Sequence, residues 1–314
     1  MKTLSAKAAI LFAAAASMTA VSCQKDDNIP GAADKNVDIR LSVVTDLTTK
    51  ATLNETAEST VYTVDYFVFN NDGNAKLDCY SHVEGKTDVT LSCKAGSKKI
   101  YALVNSYMTP QQLDAISSLQ EFLNTAADLK KQNPEKLEMI GSVTKVIEDA
   151  ETISISVQRM VARIGIQNIK VAFLSPYLKN TSLHISGIYL LNSVTTFNYG
   201  MNMPLTYSMF SNHKEFIRGT VMTASSNERD ILNGTTAEIN EYFYTFPNNT
   251  KDDVHDSSEA PRKTRLVIET KIGTRTYYYP ITIEGSNGIV EANKAYTIGT
   301  LTITREGSDE ADLP

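Results

Sequence analysis

The chain has 314 residues, 36 acidic against 30 Lys and Arg, a formal net charge of −6 and no tryptophan. A mildly acidic chain without basic clusters has nothing to neutralise a phosphate backbone, which argues against nucleic acid as a partner. The length suits two ordinary domains or one large one.

Lys2 and Lys7 precede a short apolar run at residues 8–16 that contains Ile10, Leu11 and Phe12. The run is too short for a permanent membrane span and reads as the core of a secretory signal covering residues 1–22. The sequence Ala20-Val21-Ser22-Cys23 resembles a bacterial lipobox, which implies acylation of the Cys23 thiol and cleavage just before it. The alternative is an ordinary signal with an incidental cysteine. "QKDDN" after Cys23 resembles the tag that sends Bacteroidetes lipoproteins to the outside of the outer membrane. Loss of residues 1–22 removes two lysines and takes the net charge to −8. No second apolar run is long enough to span a bilayer, so attachment to the outer membrane is expected through Cys23 alone. Residues 23–36, polar and carrying Pro30 and Gly31, read as a tether.

"VDIRLSV" then alternates, with Val37, Ile39, Leu41 and Val43 on one face and Asp38, Arg40 and Ser42 on the other, the period of a half-buried strand. A polar, Thr-rich loop runs on to residue 60. "VYTVDYFVFN" predicts a strand ended by a hairpin turn at Asp72-Gly73. Cys79 and Cys93 flank two short strands around a turn at Glu84-Gly85-Lys86. A symmetric hairpin would set them opposite each other as a cross-strand disulfide, suited to an exported protein; two unrelated half-buried thiols are the other reading. "KKIYALVN" predicts a strand covered on both faces. One helix is expected from Pro110 to Lys131, capped by Thr109 with Gln112 completing a capping box. Its apolar stripe (Leu113, Ile116, Leu119, Leu123, Ala127) would pack on the sheet. From Thr152 onward, strands are expected at "TISISVQRMVARIGIQNIKVAF", "SLHISGIYLLNSV", "KTRLVIETKI", "RTYYYPITIE" and "KAYTIGTLTIT". The last changes phase at Gly299, where a bulge is expected. Residues 199–261, rich in Asn, Ser and Tyr, read as irregular surface loops of the kind that carry function. The whole is mostly β, built as sandwiches.

Enzyme signatures are missing. The four histidines are scattered, with no HExxH pair, no Cys/His cluster at metal spacing, no GxSxG elbow and no phosphate-cradling glycine loop. "KDDVHDSSE" at 251–259 has the composition of a weak calcium loop but reads first as a solvated acidic loop. The tyrosines of "RTYYYP" alternate between two faces, which fits core and rim better than a sugar platform. By elimination the chain is a binding or building protein, without enzyme activity, cofactor or metal.

Four stretches, in this order, resemble the fimbrillins, the type V pilin family of Bacteroidetes. They are the lipobox with its acidic tether; "YTVDYFVFNNDG" followed by "KKIYALVN"; "VQRMVARIGI"; and "NKAYTIGTLTITREGSDEADLP". The third is similar to the family's Arg-x-x-Ala-Lys/Arg strand joining two domains (Arg159, Ala162, Arg163), the fourth to its Asn-x-x-Tyr closing strand (Asn293, Tyr296). The resemblance implies two tandem transthyretin-like β-sandwich domains, here 37–157 with the helix and 158–314. It also implies a lipoprotein precursor in which a trypsin-like protease cuts the loop after the first strand. That strand leaves with the lipid, and a neighbouring fimbrillin subunit fills the open groove with its C-terminal donor strand. Here Val37, Ile39, Leu41 and Val43 would fill the groove, and their loss would expose on the order of 6–10 kcal/mol of side-chain burial. The cut is expected at Lys50-Ala51, a departure from the family's arginine, since Arg40 lies inside the strand. The sequence stops at Pro314 without the family's further donor strands. The expectation is therefore a tip subunit that accepts a donor strand from a shaft pilin, with 199–261 contacting a host or bacterial surface ligand. Two rivals stand beside it: an uncut monomeric surface lipoprotein acting as an adhesin, and a surface enzyme or glycan-binding protein of nutrient uptake.

Overall fold

The computed structural model describes residues 35–45, 58–201, 204–210, 224–225, 228–251 and 262–311. Strands β1 (Asn36–Thr45), β2 (Thr63–Asn70), β3 (Leu77–Glu84), β4 (Asp88–Lys94), β5 (Gly96–Val104), β6 (Ala126–Asp128), β7 (Met139–Ile147) and β8 (Glu151–Arg159) make the first half. Hydrogen bonding runs in the order β3-β2-β5-β7-β8-β1-β4. β7 and β8 pair only at Met139↔Arg159 and Ile140↔Gln158, so the sheet turns a corner there. The four-stranded and three-stranded layers on either side close over one core, which includes Val64, Tyr66, Val68, Ile100, Ala102, Leu91, Ile153 and Ile155.

β2 and β5 are buried on both faces, as continuous apolar runs require. Their second face, with Phe67, Phe69, Tyr101 and Leu103, lies under α1 (Pro110–Asp114), α2 (Leu119–Asn124) and residues from 194–210, 244 and 246. Phe122, the one buried residue of α2, is the hub, with ring centroids 4.8 Å from Phe67, 4.9 Å from Tyr101 and 5.5 Å from Tyr199.

The expected single helix is two. The Thr109–Gln112 capping box is present, but α1 ends at Asp114. Ser117 and Ser118 are drawn into extended pairing with the β2–β3 turn: Leu77 N donates to Ser117 O at 2.8 Å and Leu119 N to Ala75 O at 2.9 Å. Glu121 then accepts from the amides of Ser117 and Ser118 and caps a fresh helix. Residues 126–128 leave the helical pattern altogether to form β6, paired with β11 (Thr196–Asn198).

The cysteine hairpin is also corrected. Gly85, at φ +62°, turns the chain out of β3, but β4 pairs with β1 in the opposite layer rather than with β3. Cys79 and Cys93 both face the core and remain thiols.

The second half adds β9 (Ala162–Val171), β10 (Ser182–Leu191), β12 (Ala224–Ser225), β13 (Arg229–Leu232), β14 (Thr236–Thr245), β15 (Arg265–Ile272), β16 (Arg275–Thr282) and β17 (Ala295–Ile303). Its layers are β14-β9-β17 and β12-β10-β15-β16, with β13 also on β10. They enclose a core that includes Ile164, Ile166, Ile169, Leu190, Leu266, Ile268 and Ile303. The two three-stranded layers repeat one plan. β1 lies between antiparallel β4 and parallel β8; β9 lies between antiparallel β14 and parallel β17.

Two further expectations change here. The β9–β17 register is unshifted through Gly299, and the phase change falls at the same level in both strands, from Ile166 to Ile169 and from Ile298 to Leu301. The bulge sits instead on β14, between Glu238 and Glu241, where Asn240 takes φ +52°. And residues 199–261 are not all loop, because β13 and β14 lie within them, joined through Asn233-Gly234 with Gly234 at φ +86°.

Candidate functional site

β1 holds the middle of its layer by sequence alternation. Ile39 and Leu41 are fully buried and Val37 and Val43 nearly so, while Asp38, Arg40 and Val44 face outward. Backbone pairing runs on one edge from Asn36↔Lys94 to Ser42↔Asp88 and on the other from Ile39↔Glu151 to Thr45↔Val157. On the outer face the Arg40 guanidinium meets Asp88 at 2.9 Å, an exposed pair that contributes little. The seat beneath β1 is apolar: Leu91 and Cys93 from β4, Ile153, Ile155 and Val157 from β8, and the core face of β2 and β5 opposite. A seat of this kind offers alternating pockets for side chains and two rows of backbone groups for hydrogen bonds.

Cys23, the tether, and the Lys50-Ala51 bond lie outside the described residues. The described chain resumes at Glu58, whose side chain is 3% exposed. Its Oε1 accepts from Arg163 Nη1 at 2.8 Å and from the Tyr244 hydroxyl at 2.7 Å. Arg159 Nη1 stands 3.2 Å from the other carboxylate oxygen. Burial, then the Glu58 charge, pushes the Tyr244 hydroxyl pKa up. Arg163 also lies over the Tyr242 ring, 5.2 Å from its centroid. The structure thus brings Arg159 and Arg163 together around one carboxylate at the crossing between β8 and β9. Ala162 is fully buried beside them. Asn293, at φ +56°, donates its amide to Val161 O at 3.0 Å, and Arg163 N donates to Lys294 O, so the other motif closes on the same crossing. The Tyr296 hydroxyl accepts from the Glu291 amide at 2.9 Å.

Glu58 gives no signal in the sequence, being one acid in a polar loop. Glu138 is equally silent. It is buried, its Oε1 accepting from Tyr107 N at 3.0 Å and Tyr199 OH at 3.1 Å, and its Oε2 from the Gln132 amide at 2.9 Å. Burial pushes its pKa up to about 7. It lines a small pocket together with Gln112, Asp128 and Lys131.

No group of three metal-ligating side chains occurs among the described residues. Most of the acidic stretch at 251–259 lies outside them. Tyr278 packs against Tyr189, Leu191 and Val267, whereas Tyr279 packs on the opposite core, the core-and-rim arrangement expected for these tyrosines. No helix among the described residues is long and apolar enough to cross a membrane.

Residues 36–164 match the model of a family described as major fimbrial subunit protein (FimA). No curated protein matches the chain by sequence. Among solved structures, a proposed cell adhesion protein of Parabacteroides distasonis superposes with a TM-score of 0.64 at 17% identity, covering 86% of this chain and 89% of that one. One from Bacteroides eggerthii gives 0.59 at 16%, covering 92% and 94%. A fimbrilin of Porphyromonas gingivalis gives 0.59 at 15%, covering 88% and 93%. At these identities the structural likeness is one of fold. With the family match it bears out the fimbrillin resemblance and the mostly β, sandwich architecture.

Proposed function

We propose that this chain, whose residues 36–164 match a fimbrial subunit family, is a type V pilus subunit of the cell surface assembled by strand replacement. In this reading it is exported as a lipoprotein acylated on Cys23 and cut at Lys50-Ala51. β1 then departs with the lipid, and the C-terminal strand of a shaft subunit takes its seat. The observation that carries the reading is β1 itself. It is the first described strand, it is paired on both edges, and four of its side chains are buried in the core. An empty seat lined by Leu91, Ile153, Ile155 and Val157 would expose apolar surface and unpaired strand edges, so it must be refilled. The division into sandwiches at 37–157 and 158–314 is part of the same proposal.

The tip position is supported by the segment beyond β17. Residues 305–308 are tied back onto β16: Tyr278 N donates to Ser308 O at 2.8 Å, Ser308 N to Tyr278 O at 2.9 Å, and Tyr279 OH to Arg305 O at 2.8 Å. Ala311 packs on the Tyr189–Val267 cluster. In this reading the segment stays on its own subunit.

The deciding measurement is the N-terminus of the protein on the cell surface. Free Ala51 supports the reading; acylated Cys23 on all copies supports an uncut, monomeric surface adhesin instead. Incubating the cut form with a C-terminal shaft-pilin peptide should raise its thermal midpoint, and absence of binding sinks the tip assignment.

A further inference from the structure

If β1 leaves, the chain after it must stay. Once the chain is cut at Lys50-Ala51, the segment leading into β2 becomes a chain end, and chain ends fray unless something ties them down. The polar contacts described for this segment begin at Glu58. Beyond it, Asn105, itself buried and at φ +56°, donates to Thr60 O at 2.8 Å and accepts from the amides of Tyr62 at 2.9 Å and Thr63 at 3.4 Å. Those bonds hold the backbone just before β2, but none reaches upstream of Thr60.

We infer that Glu58 is the anchor of the processed chain: its carboxylate, held by Arg159, Arg163 and Tyr244, stops the loss of structure at β1 and keeps the new N-terminal end on the body of the subunit. The inference rests on the proposed cut at Lys50-Ala51. Three features point to it. The partners come from three separate elements: Arg159 ends β8, the strand that flanks β1; Arg163 lies at the start of β9; and Tyr244 lies in β14. The anion answers two buried guanidinium groups, so its departure would take away the counter-charge they share. And its grip does not involve β1, which contributes no group to it. Cutting and exchange of β1 therefore leave the anchor's partners in place, including the edge of β8 against which an incoming strand must pair.

The test needs no donor strand and no cellular protease. A full-length chain with a specific protease site inserted at 46–57 is nicked in vitro, and amide exchange at Tyr62 and Thr63 is compared before and after nicking. In the native sequence nicking should leave both amides protected. In Glu58→Ala they should exchange at least about tenfold faster in the nicked chain, with a much smaller change in the intact one, where the unbroken chain still tethers the segment. Glu58→Gln, which keeps an acceptor for Arg163 and Tyr244, should fall between and carries the test if the alanine variant does not fold. Deprotection of the native chain on nicking overturns the inference, and so does a nicked Glu58→Ala chain that stays protected, since Asn105, which accepts from both amides, would then hold the end by itself. So does equal deprotection of the variants before and after nicking, which would make Glu58 an ordinary fold contact. A native chain that stays protected but binds no shaft-pilin peptide leaves the anchor standing and removes the strand-replacement reading instead.

Discussion

The backbones of Gly141 and Ser156 cross so closely that a Cβ on the glycine would lie 2.0 Å from the serine carbonyl oxygen. Gly141 sits on β7 just past the two residue pairs that join β7 to β8, where β8 turns away to form the other layer with β1. The corner is possible because there is no side chain at 141. Gly141→Ala must push β8 outward or distort it, an overpacking that costs on the order of 1–3 kcal/mol or more. Denaturant unfolding should show a lower midpoint, and an unchanged midpoint would mean the corner is not the tight point it looks.

The inner and outer faces of β1 should respond differently to truncation. Ile39→Ala or Leu41→Ala opens a cavity in a fully buried position and should cost about 2–5 kcal/mol. Asp38→Ala, on the exposed face, should stay within about 0.5 kcal/mol. Equal effects in equilibrium unfolding would show that the alternating burial does not govern the strand.

The pH response has a defined sign. Glu138 is normally a carboxyl of pKa near 4.5, raised by burial to about 7 in the folded chain. The folded state therefore binds the proton more tightly, and stability falls as pH rises from about 4.5 through about 7. His82 is also raised, first by its hydrogen bond to Asp65 at 2.7 Å, so its contribution is complete below its ordinary 6.5 and lost at higher pH. In Glu138→Gln the slope of thermal midpoint against pH should flatten below pH 7, while the His82 part persists. A slope identical to the native one would rule Glu138 out as its source.

Cys79 and Cys93 lie in the core, 0% and 3% exposed. A thiol reagent should label neither in the folded chain and both in denaturant, with no reductant needed. Labelling of native protein within minutes, or a need for reductant, would contradict buried thiols.

The strands were legible where one period ran cleanly. "VDIRLSV" announced its buried face, and the two-sided apolar runs of β2 and β5 announced burial on both faces. The helix failed because the stripe from Leu113 to Ala127 is helical in spacing, whereas Ser117 and Ser118 find better backbone partners in the β2–β3 turn than in the helix. The hairpin failed because sequence symmetry about Lys86 cannot tell a paired strand from one that crosses to the opposite layer. β13 and β14 lie in a stretch whose composition reads as loop, although Asn233-Gly234 is a turn signal with alternating residues after it. Arg159 and Arg163 were singled out by resemblance, but their shared partner lies about a hundred residues upstream. Long-range charge pairing leaves no local pattern to read.

The repeated plan of the two three-stranded layers carries a topological consequence. β1 and β9 occupy equivalent middle positions, yet a single break between Thr45 and Glu58 separates β1 from the rest of the described chain. β9 is threaded between β8 and β10, and two breaks would be required to free it. Of two equivalent seats, only the first could be vacated by one cut. On the proposed strand replacement, a neighbour would enter only at the β1 seat, so each such link would join unlike surfaces and have a direction.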